Sequence, residues 1–353
     1  MLSSCASRES LRRKRLVTAT KKSVTMLLVF VFTPALLSLT GCHSSTSQAP
    51  AEQSAEKLTV ALTKAFQLST LILIAKERGY FADQGLDITF KISESGHIAV
   101  QELLDGQAYL ATASEFAAVS LSRKRPDLRI ISILDTTVEQ QLVARKDRGI
   151  SGIQDLRKKR VGVTLGSSSE YYLHVCLILN KIPYEEIRTV DLLPSEQAKA
   201  IARGDIDAMI VWEPFATLAK EELGNNGASW SVPGAQREYW LLIGLDETIK
   251  QRSSAIRRVL AALASAEDFV KDNEAEAVRL VESRLGDRRM GDAWKNHDFR
   301  LGLDRLLLLK MESQLRWLYS RQATGQARVP DVLDLLYVDG LRTLGPERVR
   351  IVY

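Results

Sequence analysis

Two stretches of this chain repeat one another in kind. Leu103-Leu-Asp-Gly106-Gln-Ala-Tyr109-Leu-Ala111 and Ala200-Ile-Ala-Arg-Gly204-Asp-Ile-Asp207-Ala208 each read as a helix end, a glycine and a strand start. Each glycine stands where a helix stop favours left-handed backbone angles. Around both, short apolar strands alternate with helices, which predicts an α/β fold of two similar lobes with open, mainly parallel sheets. In the first lobe Leu58–Leu62, Leu86–Ile92, Ala108–Thr112 and Leu128–Leu134 read as strands, and Ser69–Arg78, His97–Leu104 and Glu115–Lys124 as helices. In the second, Arg160–Thr164, Ile187–Asp191 and Ile206–Trp212 read as strands. Ser168–Leu179, Glu196–Arg203 and a segment from Pro214 read as its helices.

Two further segments suit strands that cross between the lobes, Gln141–Arg145 leaving the first and Tyr239–Gly244 returning to it. The expected division is therefore 57–145 for the first part of lobe 1, 146–238 for lobe 2, and 239–353 for the return and a helical C-terminal region. Arg252–Val270, Glu274–Leu285, Leu303–Tyr319 and Val332–Leu344 carry apolar residues at helical spacing. The stripe Leu303, Leu306, Leu307, Met311, Leu315, Trp317 and Leu318 reads as core packing. Two such lobes turn their strand C-termini toward one another, and open α/β sheets bind ligands at that edge.

The N-terminus reads as an address. Arg12, Arg13, Lys14, Arg15, Lys21 and Lys22 precede an apolar run from Val24 to Leu37, too short for a comfortable membrane span and laid out as an export signal over residues 1–41. Leu39-Thr40-Gly41-Cys42 resembles the lipobox of bacterial lipoproteins, which implies cleavage before Cys42 and a lipid on its thiol. Residues 42–56 are small and polar and read as a flexible tether. Seven of the 48 basic residues and one of the 43 acidic ones precede Cys42, leaving 41 against 42 and a net charge of −1. The basic character belongs to the signal, so nothing points to nucleic acid. Cys5 leaves with the signal and Cys42 carries lipid, so Cys176, in an apolar helical run, is a buried hydrophobe without a disulfide partner in its own chain. The four histidines, His43, His97, His174 and His297, share no metal-ligand spacing, and no metal or cofactor is expected.

Candidate ligand contacts cluster at the strand ends. Gly166-Ser167-Ser168-Ser169 lies between a strand and a helix, where free N–H groups, hydroxyls and the helix dipole suit an anion. Capping by one serine is the structural alternative. Trp212 can enclose a solute and Glu213 can accept from an amine or hydroxyl, or the pair can serve as packing and a rim charge. Ser114 and Glu115 hold the matching place in lobe 1 and also suit a helix cap. Gln67 and Thr70 follow the first strand and join the set by topology; Glu94, Ser95 and Gly96 are weaker candidates. Two acids in one cleft, Glu115 and Glu213, would favour a ligand with amine or hydroxyl donors over a small inorganic anion.

Ala75-Lys-Glu-Arg-Gly79-Tyr-Phe81-Ala-Asp-Gln-Gly85-Leu86-Asp87 resembles the signature of solute-binding proteins of ABC importers, in the group for taurine, alkanesulfonates, nitrate and thiamine-pyrimidine precursors. Gly166–Glu170, Arg203–Ala208 and Trp212-Glu213-Pro214 support it, as does the tail from Val329 to Ile351. The resemblance implies a two-lobed periplasmic-binding-protein fold of the second type. It implies a receptor, not an enzyme, on the periplasmic face of the cell envelope, anchored to the membrane by lipid and delivering a small-molecule ligand to an ABC permease. Alternatives are a ligand sensor subunit and an enzyme of the same fold that forms the thiamine pyrimidine, to which the export signal and the lack of a paired nucleophile and base are opposed. The chain departs from the group at Tyr109, where the resemblance implies an aspartate bracing the strand end near the cleft, as Asp207 would in lobe 2. That change would alter the contacts of lobe 1.

Cys42→Ala is expected to abolish metabolic palmitate labelling and to leave the chain uncleaved or released from the membrane. Labelling at the parental level would exclude Cys42 as the lipid site.

Overall fold

A computed structural model describes residues 54–63, 69–138, 140–232, 237–285, 294–321 and 329–351. The signal, Cys42, the tether up to residue 53, and Gln67 lie outside the described residues. Residues from Glu52 to Tyr353 form one compact unit.

The first lobe runs β1 (Glu56–Thr63), α1 (Thr70–Glu77), α2 (Tyr80–Asp83), β2 (Leu86–Ser93), α3 (Gly96–Leu104), β3 (Leu110–Ser114), α4 (Glu115–Ser122) and β4 (Leu128–Thr137). The chain then crosses and forms β5 (Gln141–Arg145), β6 (Arg160–Val163), α5 (Ser168–Leu179), β7 (Arg188–Asp191), α6 (Pro194–Arg203), β8 (Ala208–Val211), α7 (Phe215–Leu223) and β9 (Gly227–Ser231). It returns as β10 (Glu238–Leu245) and continues through α8 (Asp246–Gln251), α9 (Ser253–Asp272), α10 (Glu274–Leu285), β11 (Leu303–Asp304), α11 (Arg305–Ser320), α12 (Asp339–Arg342) and β12 (Val349–Arg350).

The two sheets share one plan. Their orders are β2-β1-β3-β10-β4 and β7-β6-β8-β5-β9. In each, the first three strands are parallel and the fourth place is taken, antiparallel, by a strand that has just crossed from the other lobe. Gln141–Arg145 and the segment around Tyr239–Gly244 are thus the crossing strands. The boundary shifts, however: β5 hydrogen-bonds only into the second sheet, so lobe 1 ends near Thr137 rather than at residue 145. The edge strand β9, polar and glycine-started, carried no clear sequence signal.

Burial explains why these segments form strands and helices. Leu58, Val60, Leu62, Ile88, Leu110 and Ile130 fill the first core, and Val161, Val163, Leu173, Cys176 and Ile210 the second, all fully or almost fully buried. Each such side chain contributes about 1.5–3 kcal/mol by leaving water. Cys176 is free, and burial pushes its thiol up to about 11, as fits an inert hydrophobe. Gly106 (φ 73°) and Gly204 (φ 79°) end α3 and α6 in the left-handed region, as their positions in the repeat require.

The C-terminal region departs from expectation in three ways. Helix α11 packs on both lobes, because Trp317 lies 5.6 Å from Phe116 of lobe 1 and 5.6 Å from Tyr171 of lobe 2. Of the expected core stripe, Leu307, Met311 and Leu315 are buried, but Leu306 is 66% exposed. Val332–Leu344 is not one helix: a 3₁₀ turn at Val332–Leu335 and the short α12 flank an extended Leu336 that bridges to Ile130 of β4. Pairing with β4 competes with helix continuation there.

Asp207 and Tyr109 also sit elsewhere than expected. Asp207 stands before β8 and accepts from the Arg160 N–H (2.9 Å) and from both ends of the Arg160 guanidinium (3.2 and 2.7 Å) at the start of β6. That is the N-terminal edge of the sheet, opposite the cleft. Tyr109 stands at the same edge of lobe 1, under the Arg252 guanidinium (4.4 Å). At that edge Tyr109 packs with Arg252 and does not line the cavity between the lobes.

Burial pushes the Asp207 carboxyl up, but the hydrogen bonds and charge of Arg160 outweigh it and hold the group below its ordinary range. This depressed pKa stabilises the fold above about pH 4 and the contribution fades as acid protonates the group. Asp207→Ala is expected to lower stability by about 1.5–3 kcal/mol at pH 7 and by less in acid, read from urea midpoints. An equal loss at both pH values would refute the ionic role.

Candidate functional site

Three helix N-termini meet between the lobes. Gly96 and His97 open α3, Ser114 caps α4 and Ser168 opens α5, and these residues line one cavity together with Ala117, Ser167, Trp212, Glu238 and Trp240. The positive ends of three helices favour negative charge at that point. Ser95 and Ser114 cap their helices, accepting from Ile98 N–H and Ala117 N–H. In the Gly166–Ser169 turn, Glu170 takes the Gly166 N–H (2.9 Å) and the Thr164 carbonyl takes that of Ser167 (3.3 Å). The N–H groups of Ser168 and Ser169 have no hydrogen-bond partner among the described residues. The expected anion-binding turn thus offers two backbone donors, not four.

The lobes touch here. His97 Nδ1 of lobe 1 lies 3.2 Å from the Gly166 carbonyl of lobe 2, and Ser195 of lobe 2 donates to Glu94 of lobe 1 (3.3 Å). Gly166 takes φ 76° and a Cβ on it would lie 2.6 Å from the His97 ring, so only glycine allows this approach. Burial, opposed by the Gly166 carbonyl, lowers the His97 pKa and favours the neutral ring. The cavity encloses about 10 Å³, room for a single water, so the cleft is nearly shut. Trp212 and Trp240 supply its aromatic walls. The Trp240 indole N–H is buried and has no partner among the described residues, a donor set against the cavity that an acceptor on a solute can satisfy.

Behind the cavity lies a buried polar network. Gln140, on the first crossing, donates to Ser168 Oγ (3.1 Å) and to the Glu238 carboxylate (3.1 and 3.3 Å), and accepts from Ser169 Oγ (2.9 Å). Glu115 accepts from Tyr239 N–H (2.9 Å) and Gln314 (3.0 Å) and pairs with Lys310 (2.8 Å). Lys310 reaches from α11 to Tyr172 (2.6 Å) and to the Arg237 carbonyl (2.5 Å) as well. Burial, then the charge of Glu115, push the Glu238 carboxyl up to about 8, against the pull of Lys310 and the hydrogen bonds of Ser168 and Gln140. At neutral pH Glu238 is mainly protonated and can donate.

Of the sequence candidates, Ser114, Ser167, Ser168 and Trp212 line the cavity, and Gly166 stands beside it through His97. Ser169 and Glu115 lie behind its wall, held by Gln140 and by Lys310 and Gln314. Glu213 accepts from Thr217 N–H (3.0 Å) at the start of α7 and does not line the cavity. Thr70 is fully buried at the start of α1 and does not line it either. Sequence reasoning missed His97, Glu238 and Trp240. The alternation of Glu238 and Trp240 on a crossing strand was the one signal available, since i and i+2 share a face. Among the described residues no group of histidine, cysteine or carboxylates could hold a metal.

Comparison with known proteins follows the same line. Residues 68–277 match the family described as NMT1/THI5-like, and the chain belongs to that family. A binding protein of Brucella abortus is 25% identical over 229 residues, covering 62% of this chain and 68% of its own length. An aliphatic sulfonates-binding protein of Bacillus subtilis is 24% identical over 225 residues, covering 62% and 64%. The alkanesulfonate-binding protein of Xanthomonas axonopodis, solved with MOPS bound, superposes with a TM-score of 0.69 at 16% identity, over 81% of this chain and 99% of that one. These solved neighbours show the two-lobed periplasmic-binding-protein fold.

Trp212→Ala is expected to weaken binding of an alkanesulfonate by about 1–3 kcal/mol. Trp240→Phe, which removes only the orphan donor and part of the ring, should cost about 0.5–1.5 kcal/mol. Calorimetry on folded variants measures both, and parental affinity in both would place the solute elsewhere.

Proposed function

We propose that this chain is the extracytoplasmic receptor of an ABC importer, tethered by lipid on Cys42, and that it closes its lobes on a small organic anion that also carries hydrogen-bond donors. The convergence of three helix N-termini and an orphan indole N–H on one interlobe cavity is the observation that carries this reading. Family membership and the sulfonate-binding relatives support it. A solute touching both lobes favours the closed form through the contacts it gains there.

Glu238 narrows the solute class. A sulfonate or carboxylate head suits the N-termini of α3 and α5, while Glu238 supplies a proton to an acceptor when neutral or receives an N–H or O–H when ionised. A bare inorganic anion fills neither role as well as an organic anion with an amino or hydroxyl group.

The test is a calorimetric panel of nitrate, an unsubstituted alkanesulfonate and an amino-substituted alkanesulfonate. Tightest binding of the amino-substituted sulfonate is expected, and binding of none of the organic anions would overturn the reading. Affinity for the unsubstituted alkanesulfonate, which has no donor to offer, should fall as the pH rises through about 8, because an ionised Glu238 repels the head. Glu238→Gln should remove that dependence while retaining binding at pH 7. A slope unchanged in the variant would show that another group titrates.

A further inference from the structure

Strand β10 has two faces, and each lines a cavity. Glu238 and Trp240 face the interlobe cleft, whereas Arg237, just before the strand, and Tyr239 face the other way. On that side lies an open groove of about 560 Å³ between α5 and α11, within the range of small-molecule sites. Tyr172 and Lys310 form buried parts of its lining and Leu306 and Leu309 its exposed wall.

We propose that this groove is a second binding site, for an amphiphilic anion with a carboxylate or sulfate head and an aliphatic body. Charge and hydrogen bonding point to the head. Arg237 uses Nη1 on the Thr136 carbonyl and hydroxyl (both 3.0 Å), and among the described residues no carboxylate pairs with it. Its Nε and Nη2 remain as a fork that fits a carboxylate or sulfate. The Tyr239 hydroxyl, lining the same groove, makes no hydrogen bond with another described residue. Lys310 is spent on Glu115, Tyr172 and the Arg237 carbonyl, so its charge is balanced and Arg237 sets the local sign.

The body follows from Leu306 and Leu309. They are 66% and 50% exposed on a helix that buries Leu307, Met311 and Leu315. Val175 faces them from α5 across the groove. An aliphatic chain laid between them covers surface that the protein itself leaves wet. The groove joins lobe 2 (α5) to α11 and shares β10 with the cleft. The site stands on its own residues and does not depend on which solute fills the cleft.

Decanoate, kept well below its micellar concentration, is the probe, titrated by calorimetry into the full chain. Saturable one-to-one binding is expected. It should fall at least tenfold in Leu309→Glu and in Arg237→Gln and persist in Trp212→Ala. Circular dichroism checks each fold, and Leu306→Glu at the more exposed position replaces any variant that fails to fold. No saturable binding to the parent, undiminished binding in the groove variants, or loss in Trp212→Ala would each overturn the proposal.

Discussion

Everything that passes between the lobes depends on strands that belong to two places at once. Each crossing strand, β5 and β10, enters the opposite lobe's sheet antiparallel beside its third strand. The hydrogen-bond ladder fixes the crossing strand's register, and register fixes which side chains meet the cleft. A slip of one residue in β10 would turn Glu238 and Trp240 away from the cavity and bring Arg237 and Tyr239 into it.

That constraint explains the polar interior. A strand buried on both faces cannot carry a carboxylate unless neighbours satisfy it. Glu238 is met by Gln140 from the other crossing, and Glu115 by Lys310 and Gln314 from α11. The network therefore ties both crossings to a helix that packs on both lobes. Burial, and then the charge of Glu115, is why Glu238 holds its proton to unusually high pH, since the ammonium of Lys310 pairs with Glu115. The positive helix ends and this titrating acid make the cavity's charge a function of pH.

Much of the architecture was legible in the sequence. Alternating strands and helices, the glycines at 106 and 204, and both crossing segments followed from local patterns that burial then confirmed. The place of Trp212, Ser114, Ser167 and Ser168 in the cavity wall was legible too, because strand C-termini and helix starts face the cleft by topology alone. Glu115 and Ser169 occupy such places yet point behind the wall, because their partners are contributed by α11 and by Gln140. Sequence proximity gives no hint of a lysine at 310 waiting for a glutamate at 115. Metal-ligand spacing gives no hint of His97, because its partner is a backbone carbonyl, which leaves no side-chain motif. Leu306 was read as core because helical spacing shows that a stripe is apolar but not how wide the buried part is.

The most direct measurement is a crystal structure of the protein with the amino-substituted alkanesulfonate bound. The account predicts the solute between the lobes, its anionic head on the Ser168 and Ser169 N–H groups or the Trp240 indole N–H, and its donor on Glu238. A solute seated outside the cleft, or in the cleft without contact to either lobe's helix N-termini, would contradict it.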